Sequence, residues 1–210
     1  MGKINNKERV SKIRKIFDDI YDAKCTLDYE KPYELLIATQ LAAQCTDERV
    51  NIIMNELLKK YKTLSDFANA DLNEFMKEIY SCGFFKNKAK NIIAASKMLI
   101  SDFGGEVPDN MDSLLKLPGV GRKTANIILG DVYEKPAVVV DTHAGRLSRR
   151  IGLTKHTDPY KVELDLAKIV PPKYQALFSH QLVWHGRQYC KARRPDCENC
   201  PISSLCDKNL

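Results

Sequence analysis

What this sequence lacks narrows its class. No apolar run approaches the roughly 20 residues needed to cross a bilayer as a helix. The N-terminal stretch has no apolar core of a secretory signal. The expected compartment is therefore the reducing cytoplasm, with no membrane partner. There is no internal repeat, no low-complexity tract, no flexible linker and no alternation of strand and helix patterns of the kind that builds a parallel sheet. The stretch Gly119-Val120-Gly121-Arg122-Lys123-Thr124 lacks the first glycine of a nucleotide-binding P-loop, and Arg122 separates its glycine from its lysine. Acidic residues are in modest deficit, with 27 Asp and Glu against 33 Lys and Arg. The surplus of +6 suits a polyanionic partner without requiring one.

What is present is helical periodicity, nearly end to end. Ile13, Ile16, Phe17, Ile20 and Tyr21 fall at helical spacing within 4–23, and residues 33–43 form an almost wholly apolar helix suited to the centre of a domain. Further helices are predicted over 47–60, 65–70, 71–80, 86–103, 112–117, 122–133, 142–151, 159–169 and 174–188, many opening on a residue able to cap. The class is all-α. Breaks at Asp28–Pro32 and Glu134–Pro136 suggest a central lobe over 25–135 and a discontinuous one over 1–24 and 136–210.

Seven cysteines in a reducing compartment imply metal or free thiols rather than disulfides. Cys25, Cys45 and Cys82 stand among apolar residues and are expected to be buried small hydrophobes. The other four crowd the C-terminal end as Cys190-x6-Cys197-x2-Cys200-x5-Cys206, close enough to share one metal centre. A four-thiolate zinc site and a [4Fe–4S] cluster both satisfy that spacing. Lys191, Arg193 and Arg194 in the first interval would face phosphate or offset the thiolates.

Leu117-Pro118-Gly119-Val120-Gly121 precedes a helical pattern that opens at Arg122. A glycine turn feeding a helix start aims backbone N–H groups at an anion without any side-chain charge. Lys123 lies in the first helical turn, where the dipole opposes an ammonium and favours the free amine, a nucleophile. Asp141 precedes another helix at Thr142, which it can cap.

Together, Leu117–Asn126 followed by Asp141 resembles the helix–hairpin–helix, Gly/Pro and aspartate signature of a DNA glycosylase superfamily. The cysteine tail resembles the iron–sulfur loop of its endonuclease III branch, and the resemblance spans nearly the whole chain. It implies a six-helix lobe bearing the hairpin and a second lobe holding a [4Fe–4S] cluster on Cys190, Cys197, Cys200 and Cys206. It implies a bifunctional DNA glycosylase and abasic-site lyase for damaged pyrimidines, monomeric and nucleoid-associated. Its partner is double-stranded DNA with damaged bases or abasic sites. Lys123 and Asp141 take the catalytic positions. Gly119, Val120, Gly121 and Arg122 would contact phosphate, helped by Lys191 and Arg193. Gln44 matches an inserted glutamine, and Phe84 stands where the family often has a leucine wedge, although a core position suits Phe84 nearly as well. A thymine-mismatch glycosylase is the nearest enzymatic alternative. A non-catalytic hairpin module would call for neither Lys123 nor Asp141, and an electron-transfer protein would need a partner cofactor motif that is absent.

Overall fold

The structure, a computed structural model, describes residues 4–210; positions 1–3 of the expected N-terminal segment lie outside it. Among the described residues there are eleven α-helices and no strand. They are α1 (Asn6–Ile20), α2 (Pro32–Leu41), α3 (Asp47–Lys60), α4 (Leu64–Ala68), α5 (Leu72–Glu78), α6 (Phe85–Phe103), α7 (Met111–Leu114), α8 (Arg122–Ile127), α9 (Thr142–Ile151), α10 (Pro159–Ile169) and α11 (Gln175–Gln188). The chain divides into two compact units, Cys25–Tyr133 and a second made of Glu134–Leu210 with the segment ending at Lys24.

The unit Cys25–Tyr133 is organised around α2. Every residue from Tyr33 to Leu41 is buried, as expected of a helix apolar on all sides. Its start is set by Pro32 at the first position and by Glu34, whose carboxylate accepts from the N–H groups of Glu30 (2.8 Å) and Lys31 (3.1 Å). α3, α6 and α8 pack around it. α3 opens on Thr46, whose hydroxyl accepts from Arg49 N, and α4 on Thr63. Phe67, Phe75 and Tyr61 meet edge-on or tilted, with ring centroids 5.2–6.2 Å apart. The pattern expected to run as one helix over 122–133 changes register: α8 gives way at Ile128 to a π-helical turn, Ile128–Val132. Such widened turns often accompany functional sites.

In the second unit, Val10, Ile13 and Phe17 of α1 form one buried stripe at helical spacing. They pack with Ala144, Leu147 and Ile151 of α9, Val162 and Leu166 of α10, and Phe178 and Leu182 of α11. Residues 136–140 run as an irregular apolar link, without strand pairing.

One expectation is corrected. Cys82 is fully buried, but Cys25 and Cys45 are only half-buried. Both lie in connections that flank helices, so each packs on one side alone.

Candidate functional site

The hairpin turn is built by backbone rather than side chains. Leu117 is buried, and its carbonyl accepts from Val120 N–H at 3.1 Å. Gly119 sits at φ +76°, in the left-handed region. A Cβ there would lie 2.8 Å from Asn91 Cβ and 3.0 Å from Gln40 Oε1, so the chain needs glycine both for conformation and for room. Gly121, at φ −99°, caps α8, and a Cβ on it would meet nothing within 4 Å. Gly119 and Gly121 are exposed. The Val120 side chain is buried, and its N–H donates across the turn to Leu117 O. Arg122 is half-buried, and Lys123 is exposed in the first turn of α8.

Two loops of the same unit carry the other expected DNA-facing residues. Gln44 lies between α2 and α3, is exposed, and has φ +58°. Phe84 is the N-cap residue of α6, is 64% exposed and has φ +50°, so it is not a core residue. Left-handed backbone at a glutamine and a phenylalanine is strained, and strain of this kind gathers at functional sites. Lys88 ties the loops together: its ammonium donates to Leu41 O at 2.8 Å and to Cys82 O at 2.6 Å. Lys88 is buried, which pulls its pKa below the ordinary lysine value. Cys45 Sγ reaches Cys82 Sγ at 3.8 Å across the same gap. Gln44, Phe84, Lys88, Asn91 and Gly119 line one cavity.

In the second unit, Asp141 is the N-cap of α9, its Oδ1 accepting from Ala144 N at 2.7 Å. The carboxylate is half-buried. His143 is half-buried with its Nδ1 3.1 Å from Arg146 Nη2, and burial pulls its pKa below the usual histidine value.

Cys190, Cys197, Cys200 and Cys206 surround a single cavity walled by Leu147, Ile151 and Ile202. Burial, with neighbouring cysteines adding to it, raises the thiols of Cys200 and Cys206. Among the described residues no three metal-ligating side chains close on a point that could hold one ion. A four-cysteine zinc site needs all four sulfurs about 2.3 Å from one point, whereas a multi-iron cluster is held from around its periphery. Sulfurs ringing a cavity fit the cluster.

Sequence reasoning missed what holds this loop. Arg146 donates to Cys190 O at 3.0 and 3.2 Å and to Gly186 O at 3.2 Å. Arg150 donates to Lys191 O at 2.8 Å, to Ala192 O at 3.0 Å and to Cys190 Sγ at 3.5 Å. Their spacing of four on α9 was the available signal. His185 is buried between Tyr21 Oη, 2.9 Å from its Nδ1, and Cys200 Sγ, 3.3 Å from its Nε2. Burial lowers its pKa to about 4. Lys191, Arg193 and Arg194 are exposed, and Arg194 has φ +56°.

Residues 37–172 match the HhH-GPD superfamily of base excision DNA repair proteins. Residues 190–206, bounded by the first and last of the four clustered cysteines, match the iron-sulfur binding domain of endonuclease III. Endonuclease III of Synechocystis is 47% identical over 204 residues, covering 96% of this chain and 93% of its own. Two solved structures of an endonuclease III with DNA, one non-covalent and one a trapped covalent intermediate, are 40% identical to the chain. Each covers 98% of this chain and 97% of its own, with a TM-score of 0.88.

Proposed function

The chain belongs to the endonuclease III family, bifunctional DNA glycosylases and abasic-site lyases of base excision repair, and we propose that Lys123 is its attacking amine and Asp141 its catalytic carboxylate. The observation that carries this is the hairpin: a turn of exposed glycine backbone with an exposed lysine in the helical turn that follows. Reaching C1′ requires the damaged nucleotide to leave the stack. Lys123 Nζ then bonds to C1′ while the bond to the base breaks and its electron pair departs with the base, which takes up a proton. The nitrogen lone pair then forms the C1′=N bond as the C1′–O bond breaks and the ring oxygen takes up a proton, which leaves a protonated Schiff base. This acidifies the C2′ hydrogen, and its removal expels the 3′ phosphate by β-elimination. Hydrolysis of the Schiff base frees Lys123. Asp141 stabilises the positive charge that develops at the sugar and assists proton transfer.

Gly119 and Gly121 supply amides to the backbone phosphate, with Arg122, Lys191 and Arg193 adding charge; such contacts position the duplex without reading sequence. Gln44 fills the space of the extruded nucleotide, and the exposed Phe84 ring wedges beside it. Cys190, Cys197, Cys200 and Cys206 hold the cluster, which when bound supplies a rigid anchor for the basic loop. Among the described residues no helix is long and apolar enough to cross a membrane. On this reading the enzyme works in the cytoplasm at the nucleoid, acting as a monomer.

The test is borohydride trapping on duplex DNA with one abasic site. Wild type is expected to give a reduced covalent adduct that disappears in Lys123→Ala; an adduct of undiminished yield in Lys123→Ala would remove Lys123 from the mechanism.

A further inference from the structure

Gln40 is polar in the most apolar helix of the chain. It is 5% exposed, and neither its Nε2 nor its Oε1 has a hydrogen-bond partner. Buried amides are ordinarily satisfied, and one left doubly open calls for an explanation such as a ligand. Gln40 lines the cavity of about 260 Å³ that also holds Gln44, Phe84, Asn91 and Gly119. At about 30 Å³ of liquid per water, that space holds several waters that a planar ring can displace. Lys88, in the same wall, is not the missing partner, since its ammonium is committed to Leu41 O and Cys82 O. The amide lies directly under the hairpin: a Cβ on Gly119 would come 3.0 Å from its Oε1. Gly119 in turn is four residues before Lys123.

We propose that Gln40 is a specificity-determining residue that hydrogen-bonds the edge of the extruded pyrimidine. The inference rests on the glycosylase reading above. A carboxamide presents one acceptor beside one donor. Oε1 accepts from N3–H of a uracil- or thymine-derived base, and Nε2 donates to the adjoining ring carbonyl. The Gln40 side chain already borders the cavity that would receive the base. An abasic nucleotide has no such edge, so Gln40 serves base removal and not strand cleavage. An amide completed by ordered water, supporting only the turn, would serve both steps alike.

Two duplexes separate these roles, one carrying a single thymine glycol and one a preformed abasic site, each followed under single-turnover conditions. Gln40→Leu and Gln40→Met, the second of which keeps the length of the side chain, are expected to slow release of the oxidised base roughly 10- to 100-fold. Both should cleave the abasic duplex at the wild-type rate, which also shows that they are folded. Equal loss on both duplexes, or no loss on either, overturns the assignment. Wild type that cuts neither duplex overturns the glycosylase and lyase reading itself, a result distinct from a failure of Gln40 alone.

Discussion

Replacing Gly119 by alanine should be among the most damaging single-methyl changes in the chain. Two costs can be read from the geometry. The residue has φ +76°, where a residue with a Cβ loses roughly 1–2 kcal/mol. The new methyl would also sit 2.8 Å from Asn91 Cβ, 2.9 Å from Asn91 Nδ2 and 3.0 Å from Gln40 Oε1. Asn91 Cβ is fixed to the α6 backbone and cannot swing aside, so the overlap adds about 1–3 kcal/mol. At about 2–4 °C per kcal/mol for a chain of this size, the midpoint of thermal unfolding should fall by roughly 4–20 °C. Gly121→Ala is the matched control, two residues away. Its φ of −99° suits any residue, and its Cβ would enter open space. Alanine is a poorer N-cap than glycine, so its stability should fall by at most about 1 kcal/mol, well short of the loss in Gly119→Ala. That same Cβ projects from the exposed face of the turn, so Gly121→Ala should weaken binding of abasic duplex at constant salt while leaving the fold intact. Calorimetry on the three proteins reads the first effect and fluorescence anisotropy the second. Should Gly119→Ala melt with wild type, the close packing of the turn on Asn91 and Gln40 is wrong. Undiminished binding by Gly121→Ala would remove the turn from the DNA contact.

Asp141→Asn should leave unfolding by urea within about 0.5 kcal/mol of wild type, since Asn caps as well as Asp, while base release falls at least about 100-fold; full activity would reduce Asp141 to the cap of α9. Asp141→Ala should lose the same activity and also about 1 kcal/mol of stability, because nothing then accepts from Ala144 N–H. Lys88→Met should lower stability by roughly 2 kcal/mol, because Leu41 O and Cys82 O lose a charge-assisted donor and stay buried; an unchanged urea midpoint would show that the ammonium does not bridge the loops. Cys197→Ser should remove the broad visible absorbance of the cluster and iron from the purified protein, and retention of both would take Cys197 out of the ligand set.

Periodicity was enough to read helices whose surroundings match their composition. α2 is apolar on every side and is buried on every side; α1 shows its stripe at Val10, Ile13 and Phe17. Chemistry carried by spacing was equally plain in the four cysteines and the glycine turn. What stayed hidden were polar groups whose meaning depends on a partner far away in sequence. Lys88 stands in Lys86-Asn87-Lys88-Ala89-Lys90 and looks like one more solvated lysine, although it falls on the stripe of Ile92, Ala95 and Leu99. Only the two carbonyls waiting at its tip, one of them 47 positions away, make its burial possible. Arg146 and Arg150 look like a basic helix face, yet their forks are filled by carbonyls of the cluster loop more than 40 positions away. The π-helical turn escapes for another reason: a one-residue widening leaves the apolar pattern nearly intact.

The two expected DNA-facing loops share a design in which strain and clamp belong together. Gln44 and Phe84 both hold left-handed backbone, each against a penalty of roughly 1–2 kcal/mol. Neither residue is packed well enough to enforce this itself, since both are exposed. The enforcement comes from behind. Lys88 grips the end of α2 and the turn before α6 in one set of bonds, and Cys45 lies against Cys82. A loop selected for stability alone would place glycine at Gln44, where φ +58° costs glycine nothing. Gln44→Gly should therefore melt at or above wild type, and Gln44→Val, β-branched in a region that disfavours it most, should lose about 1 kcal/mol or more. Both variants should lose base release on duplex DNA, because neither has a side chain long enough to occupy the vacated stack. A Gln44→Gly protein that excised the damaged base at the wild-type rate would separate the strain from the function and leave the left-handed glutamine without a purpose.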